Sequence, residues 1–239
     1  MKVTPNNDQE HGVFSQVTHV IFDFDGLLMD TENVFFRATQ KVIAPYGKTF
    51  TWEQKSQIMG MPPRPACQKT IDMLNLPLSL DEFIRLQDIE IDREMPNADL
   101  MPGAIDIIRY FKKNGIPMAI ATGSPKQRFG QRTVRWPDIF AKKVYFDHIV
   151  FSGDDSEVKQ GKPAPDVFLV AAKRFLNPPE DYRSILVFED APVGVHGALA
   201  AGMQVVMIPD KHLCHNSTPT LLLESLAHFD PQLFGLPPM

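Results

Sequence analysis

Five short apolar runs, separated by segments with helical periodicity, constrain the fold of this chain more than any other feature of its sequence. Each run has the length of a strand that is buried on both faces. Strands of this kind, alternating with helices, are typical of a parallel sheet covered by helices. The sequence therefore predicts an α/β fold with strands at Val20–Phe22, Met118–Ala121, His148–Phe151, Ile185–Phe188 and Val205–Ile208.

Three segments between these strands carry apolar side chains at helical spacing and are predicted to be helices. Ala104–Asn114 is followed by Gly115, a residue that commonly stands just after a helix. Asp166–Phe175 and Gly194–Ala201 show the same periodicity. The helices and strands thus alternate along most of the chain.

Residues 32–100 break this alternation, because they carry helical patterns and no convincing strand. Glu32–Ile43 has an apolar stripe, and Ser79 with Glu82 three positions later forms a capping box that opens another helix. Gly60–Pro65 is predicted to be a turn or loop because it contains a glycine and three prolines.

This segment leaves after the first strand and returns before the second, which places it over the sheet edge where open α/β proteins bind ligands. We therefore expect an inserted helical cap domain at residues 32–100 and a core domain formed by residues 17–31 and 101–239. Residues 1–16 are polar and are expected to be a flexible N-terminus.

Composition argues against several classes of protein. The net charge is −5 and no basic block is present, so we expect no binding to a nucleic-acid polymer. Residues 1–16 lack the apolar core of a signal peptide, and no segment approaches about 18 uninterrupted apolar residues, so we expect a cytoplasmic protein without a membrane span. We further expect a monomer. Cys67 and Cys214 have no metal-ligand spacing and are predicted to be reduced packing residues.

The first strand runs into Asp23-Phe24-Asp25-Gly26, which raises an electrostatic question. If the strand continues through these residues, its alternation turns Asp23 and Asp25 to the same face. Two such charges about 4 Å apart repel by roughly 4 kcal/mol at an effective dielectric constant of about 20. The pair therefore needs a proton, a cation or access to solvent.

Hydroxyl groups and a lysine stand after other strands. Thr122-Gly123-Ser124 offers hydroxyl and amide donors to a phosphate, although such a trio alone is more often an ordinary turn. Lys162 lies in Gly161-Lys162-Pro163, which is not a P-loop because Pro163 replaces the required Ser or Thr. Taken alone, Lys162 is a solvated surface lysine.

Two further acids, Glu189 and Asp190, follow the fourth strand. In isolation, a solvated turn with Asp190 as a helix cap is as good an interpretation of these acids as a binding site. If the strand ends converge, however, they join Asp23 and Asp25 in one strongly negative site. Oxygen ligands without a His or Cys cluster then favour Mg²⁺.

The order Asp-Phe-Asp-Gly, Ala-Thr-Gly-Ser, Gly-Lys-Pro and Phe-Glu-Asp resembles the haloacid dehalogenase superfamily of phosphohydrolases over residues 17–210. Leu27–Glu32, Phe188–Val195 and Ala200–Val206 are further similar to its pseudouridine-5′-phosphatase branch. The resemblance implies a Rossmann-like core with a helical cap inserted after the first motif.

The resemblance also implies a role for each matching residue. Asp23 is the expected nucleophile and Asp25 the expected acid and base, with its main-chain carbonyl as a metal ligand. Phosphate binding falls to Thr122, Gly123, Ser124 and Lys162. The metal ligands are expected to be Asp23, Asp25 and Asp190, with Glu189 a ligand or a nearby acceptor.

The implied activity is that of a Mg²⁺-dependent phosphoric monoester hydrolase that acts on a small phosphorylated metabolite through an aspartyl-phosphate. Pseudouridine 5′-phosphate is the first expected substrate. The alternatives are a phosphatase for a sugar phosphate, glycerol phosphate or FMN, a phosphomutase, and a binding protein without turnover. Met61-Pro62-Pro63 stands where relatives have a basic residue after Gly60, so the sequence does not specify cap contacts to substrate.

Overall fold

The computed structural model describes residues 13–59, 61, 63–141, 143–213 and 215–239. Its centre is a six-stranded parallel sheet in the order β3-β2-β1-β4-β5-β6. The strands are β1 His19–Phe22, β2 Met118–Thr122, β3 His148–Phe151, β4 Ile185–Glu189, β5 Gln204–Met207 and β6 Leu221–Leu222. The predicted α/β fold is confirmed, with all five predicted strands present and a short sixth strand that the sequence did not indicate.

Helices cover both faces of the sheet. They are α5 Ala104–Lys113, α6 Lys126–Arg132, α7 Pro137–Phe140, α8 Asp166–Lys173 and α9 Pro192–Ala200. Alternation along β1 sends Val20 and Phe22 into the cluster that contains α5, and Ile21 into the cluster that contains α8 and α9. Because β1, β2, β4 and β5 are buried along their whole length, their central residues are apolar.

The chain between β1 and β2 is helical and contributes no strand within its described residues. It contains α1 Thr31–Ile43, α2 Trp52–Ser56, α3 Pro63–Leu74 and α4 Leu80–Glu94. The side chain of Ser79 accepts a hydrogen bond from the backbone N–H of Glu82 and so caps α4. These helices enclose an apolar cluster of their own around Ile43 and Phe83. The domain boundaries themselves stay a prediction.

The predicted loop at Gly60–Pro65 is wrong for its last three residues, because Pro63-Arg64-Pro65 forms the first turn of α3. The first N–H groups of a helix have no intrahelical acceptor, so proline there removes no hydrogen bond. Gly60 and Pro62 lie outside the described residues.

Hydrogen bonds join the start of the described chain to a segment near its other end. The backbone N–H groups of Val13 and Phe14 both donate to the carbonyl of Leu233 at 3.0 Å, while residues 1–12 lie outside the described part of the chain. Cys67 is buried with a free thiol, and Cys214 lies outside the described residues. None of the described helices combines the length and apolar character needed to cross a membrane.

Candidate active site

The carboxyl ends of three strands bring together polar residues that are far apart in the sequence. Asp23 follows β1, Thr122 ends β2, and Glu189 ends β4 with Asp190 next in the chain. Because the strands are parallel, these ends meet at one edge of the sheet. Lys162 reaches the same edge from the segment between β3 and α8.

Asp23 is a buried carboxylate held in place from two sides. Its backbone N–H donates to the carbonyl of Phe188 at 2.9 Å, and its Oδ1 accepts from Lys162 Nζ at 2.5 Å. Burial raises the pKa of Asp23 to about 7, with Glu189 and Asp25 acting in the same direction and Lys162 opposing them. The carboxylate therefore lies where its charge needs compensation.

Lys162 is not the solvated lysine that its local sequence suggests. Its Nζ donates to Asp23 Oδ1 at 2.5 Å, to Glu189 Oε1 at 2.6 Å and to the carbonyl of Ala121 at 3.1 Å. Burial alone would lower the pKa of Lys162, but the carboxylates of Asp23 and Glu189 outweigh it and raise the pKa above its usual range. Lys162 is thus a fixed positive charge between two buried acids.

Asp23, Glu189 and Asp190 form a compact acidic cluster, in which one carboxylate oxygen from each residue lies within 4.8 Å of the other two. Burial raises the pKa of Asp190 well above its ordinary value, and Asp23 and Glu189 raise it further. One lysine cannot balance three carboxylates. An all-oxygen set of this kind fits Mg²⁺, which prefers hard oxygen ligands.

Two glycines leave room for this cluster. A Cβ atom at Gly194 would lie 1.9 Å from Glu189 Oε1, and a Cβ at Gly26 would lie 2.3 Å from Asp190 Oδ2. Gly26 also has a φ of +80°, in the left-handed region that favours glycine. The turn after β1 and the start of α9 therefore approach the acids as only glycine allows.

Asp25 faces a different cation from Asp23. The strand β1 ends at Phe22, so the alternation expected through Asp25 is not observed. The Asp25 carboxylate accepts from Ser124 Oγ at 2.6 Å, from Thr122 Oγ1 at 3.3 Å and from Arg132. The repulsion between the two acids is thus met by two separate cations, Lys162 and Arg132.

The Thr122-Gly123-Ser124 turn lies against Asp25. Thr122 is fully buried, and its Oγ1 accepts from the backbone N–H of Ser124 at 2.9 Å. Gly123 is exposed, and a Cβ there would meet open space within the described residues. The hydroxyls bind Asp25 in this structure, and their role toward phosphate stays a prediction.

Sequence reasoning missed two buried basic residues near the site. Arg132 ends α6 with a side chain that is 4% exposed, and Lys55 in α2 pairs with Glu32 Oε2 at 2.8 Å. Glu32 in turn helps to raise the pKa of Asp190, after burial and the acids Asp23 and Glu189. No motif marks either residue, and only the spacing of Arg132 three positions after the buried Phe129 indicates an inward-facing side chain.

Comparison with known proteins gives consistent matches over most of the chain. The family model described as haloacid dehalogenase-like hydrolase matches residues 20–208. A probable pseudouridine-5′-phosphatase of Drosophila melanogaster is 44% identical over 94% of this chain and 96% of its own length. The mitochondrial (DL)-glycerol-3-phosphatase 1 of Arabidopsis thaliana is 43% identical over 92% of this chain and 74% of its own length.

A solved structure shows the same fold. A hydrolase from Deinococcus radiodurans R1, with bound phosphate and sodium, superposes with a TM-score of 0.71 at 20% identity. The match covers 89% of this chain and 93% of that structure.

Proposed function

The chain belongs to the haloacid dehalogenase-like hydrolases and is a phosphatase of small phosphorylated metabolites, and from that premise we propose that it hydrolyses pseudouridine 5′-phosphate to pseudouridine and phosphate with Mg²⁺. The observation that carries the proposal is the contact of Lys162 with Asp23 inside the acidic cluster of Asp23, Glu189 and Asp190. This arrangement supplies a nucleophile and a fixed positive charge together.

The proposed reaction has two steps with Asp23 as the nucleophile. In the first, a carboxylate oxygen of Asp23 bonds to phosphorus, the ester P–O bond breaks, and Asp25 gives its proton to the leaving oxygen. In the second, Asp25 takes a proton from a water molecule that attacks phosphorus, and the bond to Asp23 breaks. The carboxylates return to their starting state, so the cycle balances.

The charged phosphoryl group is held by donors from two segments. Lys162 offsets negative charge between Asp23 and the phosphate, and the turn Thr122-Gly123-Ser124 supplies the backbone N–H of Gly123, because both of its hydroxyl hydrogens are donated to Asp25. The side chains of Lys162 and Asp23 are only 11% and 9% exposed, and a donor acts more strongly where water is excluded. Their task is to stabilise the charge on the transferring group.

Asp23, Glu189 and Asp190 would hold Mg²⁺, together with the main-chain carbonyl of Asp25. When bound there, Mg²⁺ supplies positive charge that offsets the carboxylates and the phosphate oxygens. Glu189 also accepts from the backbone N–H groups of Asp190 and Ala191 at 3.2 and 3.3 Å, which fixes its orientation.

The choice of substrate rests on the Drosophila relative, which this chain matches along almost its whole length. Glycerol phosphate is the second candidate, because the Arabidopsis glycerol-3-phosphatase is nearly as similar.

Purified protein with Mg²⁺ should be assayed for phosphate release from pseudouridine 5′-phosphate, glycerol 3-phosphate, FMN and several sugar phosphates. We expect the highest kcat/KM with pseudouridine 5′-phosphate. A higher value with glycerol 3-phosphate would transfer the proposal to that ester, and no release from any ester would refute it.

A further inference from the structure

We infer that Arg132 is a positioning residue that holds the carboxylate of Asp25 in the orientation needed for proton transfer to the leaving oxygen. The inference rests on the proposed function, in which Asp25 is the acid of the first step. It adds a residue from α6 that no sequence motif indicates.

Both oxygens of Asp25 are engaged by a closed network of donors. Arg132 Nη1 donates to Asp25 Oδ1 and to Ser124 Oγ, while Ser124 Oγ donates to Asp25 Oδ2 at 2.6 Å. Thr122 Oγ1 adds a longer contact of 3.3 Å to the same Oδ2. Each donor has one hydrogen for each bond, so all of these contacts can exist together.

The network fixes a carboxylate that is otherwise free to turn. The Asp25 side chain is 25% exposed, whereas the Arg132 side chain is 4% exposed. A buried planar guanidinium is a rigid anchor, because it cannot follow a moving partner into solvent. The partly open face of Asp25 is left for a substrate atom.

The surroundings of Arg132 indicate a site role rather than a purely structural one. Its Nε is buried without a hydrogen-bond partner among the described residues, although a buried donor without a partner costs free energy. The guanidinium carbon lies 6.0 Å from the ring centroid of Phe35 in α1. Arg132 therefore lies between the acid of the core and the inserted helices.

Two cations keep the two acids apart. Lys162 binds Asp23 and Glu189 within the acidic cluster, and Arg132 binds Asp25 beside the Thr122-Gly123-Ser124 turn. Without Arg132 the Asp25 carboxylate loses its charged anchor and samples other rotamers. Misplacement of a reacting group by about 1 Å can cost on the order of 10²-fold in rate.

Activity on two different phosphate esters distinguishes this role of Arg132 from a general loss of structure. An alkyl phosphate such as pseudouridine 5′-phosphate needs its leaving oxygen protonated, whereas p-nitrophenyl phosphate releases a stable anion without help. The value of kcat/KM reports the steps up to formation of the aspartyl-phosphate. A misplaced Asp25 should therefore lower kcat/KM for the alkyl ester only.

The test compares Arg132→Met and Arg132→Lys with the wild type. The control is Arg128→Met, because Arg128 lies on the same helix and pairs with Asp88 at 3.0 Å but is 40% exposed. Melting temperatures identify variants that do not fold. If Arg132→Met does not fold, Arg132→Lys, which keeps the charge, carries the test.

We expect Arg132→Met to lower kcat/KM for the alkyl ester on the order of 10²-fold and to change kcat/KM for the nitrophenyl ester little. Arg132→Lys should also lower kcat/KM for the alkyl ester, but by a smaller factor. Arg128→Met should behave as wild type. Equal losses on both esters, or no loss on either, would overturn the inference alone. A wild type inactive on every ester would instead overturn the proposed function.

Discussion

Lys162 Nζ lies 2.5 Å from Asp23 Oδ1, although the two residues are 139 positions apart in the chain. The same Nζ lies 2.6 Å from Glu189 Oε1, so one ammonium group ties the end of β1 to the end of β4. This contact converts three separate motifs into one site, and the first prediction concerns its removal.

Replacing Lys162 by Ala should lower kcat by about 10²- to 10³-fold, the usual cost of losing a fixed donor to the transition state. It should also lower the melting temperature, because Asp23 and Glu189 would remain buried without their cation. Lys159→Ala, in the same segment but exposed, is the matched control and should change neither quantity. Unchanged turnover in Lys162→Ala would remove this lysine from the mechanism.

Asp23→Asn should abolish phosphate release yet stabilise the metal-free protein. The pKa of Asp23 rises from 3.8 to about 7 on folding, so the folded state binds more protons between these values. The contribution of Asp23 to stability is therefore lost as the pH rises from about 4 to about 7 and stays lost above that.

Chemical denaturation of both proteins in EDTA at several pH values checks this directly. The stability advantage of Asp23→Asn should grow across that range and level off above about pH 7. An advantage that shrinks with rising pH would show that the sign of the shift is wrong.

Gly194→Ala should weaken metal binding and turnover, because its Cβ would lie 1.9 Å from a carboxylate oxygen of Glu189, which Lys162 holds in place. We expect a loss of 10-fold or more in Mg²⁺ affinity, within the range of about 10 to 100 known for disturbed metal sites. Gly130→Ala is the control, since open space surrounds that position in the described chain and alanine favours a helix. Equal Mg²⁺ affinity in both variants would contradict the claim that Gly194 leaves the space that the Glu189 carboxylate occupies.

Metal removal should stop the reaction and also change stability. Phosphate release should vanish in EDTA and return with Mg²⁺, and Mg²⁺ should raise the melting temperature of the metal-free protein. Asp190→Asn should abolish that rise, because one carboxylate of the cluster is lost. A rate indifferent to metal, with no thermal shift, would refute the metal assignment.

Most of the sheet was predictable because β1, β2, β4 and β5 are buried along their whole length and therefore appear in the sequence as apolar runs. The exception is β6, where Leu221–Leu222 is too short to show any periodicity. The first turn of α3 was missed for a related reason, since prolines mark loops and helix starts alike.

The acids and the lysine of the candidate site were predictable from the sequence, whereas their geometry and the buried Arg132 and Lys55 were not. Motifs at the ends of β1 and β4 indicated Asp23 and Asp190, since parallel strands bring their ends together, whereas Lys162 was indicated by the family resemblance. The orientation of Asp25 was not predictable, because it depends on where β1 ends and on an arginine that belongs to no motif.

The central claim, that Asp23 attacks phosphorus while Asp25 handles protons, has a direct test in the variant Asp25→Asn. With p-nitrophenyl phosphate and Mg²⁺ the first step needs no acid, whereas the second step lacks its base. The phosphorylated enzyme should therefore accumulate.

Stopped-flow absorbance should show a burst of about one nitrophenolate per active site, followed by slow turnover. Mass spectrometry of the acid-quenched protein should then locate the phosphoryl group on Asp23. A phosphoryl group on another residue, or a burst-free reaction with no covalent phosphate, would contradict the account.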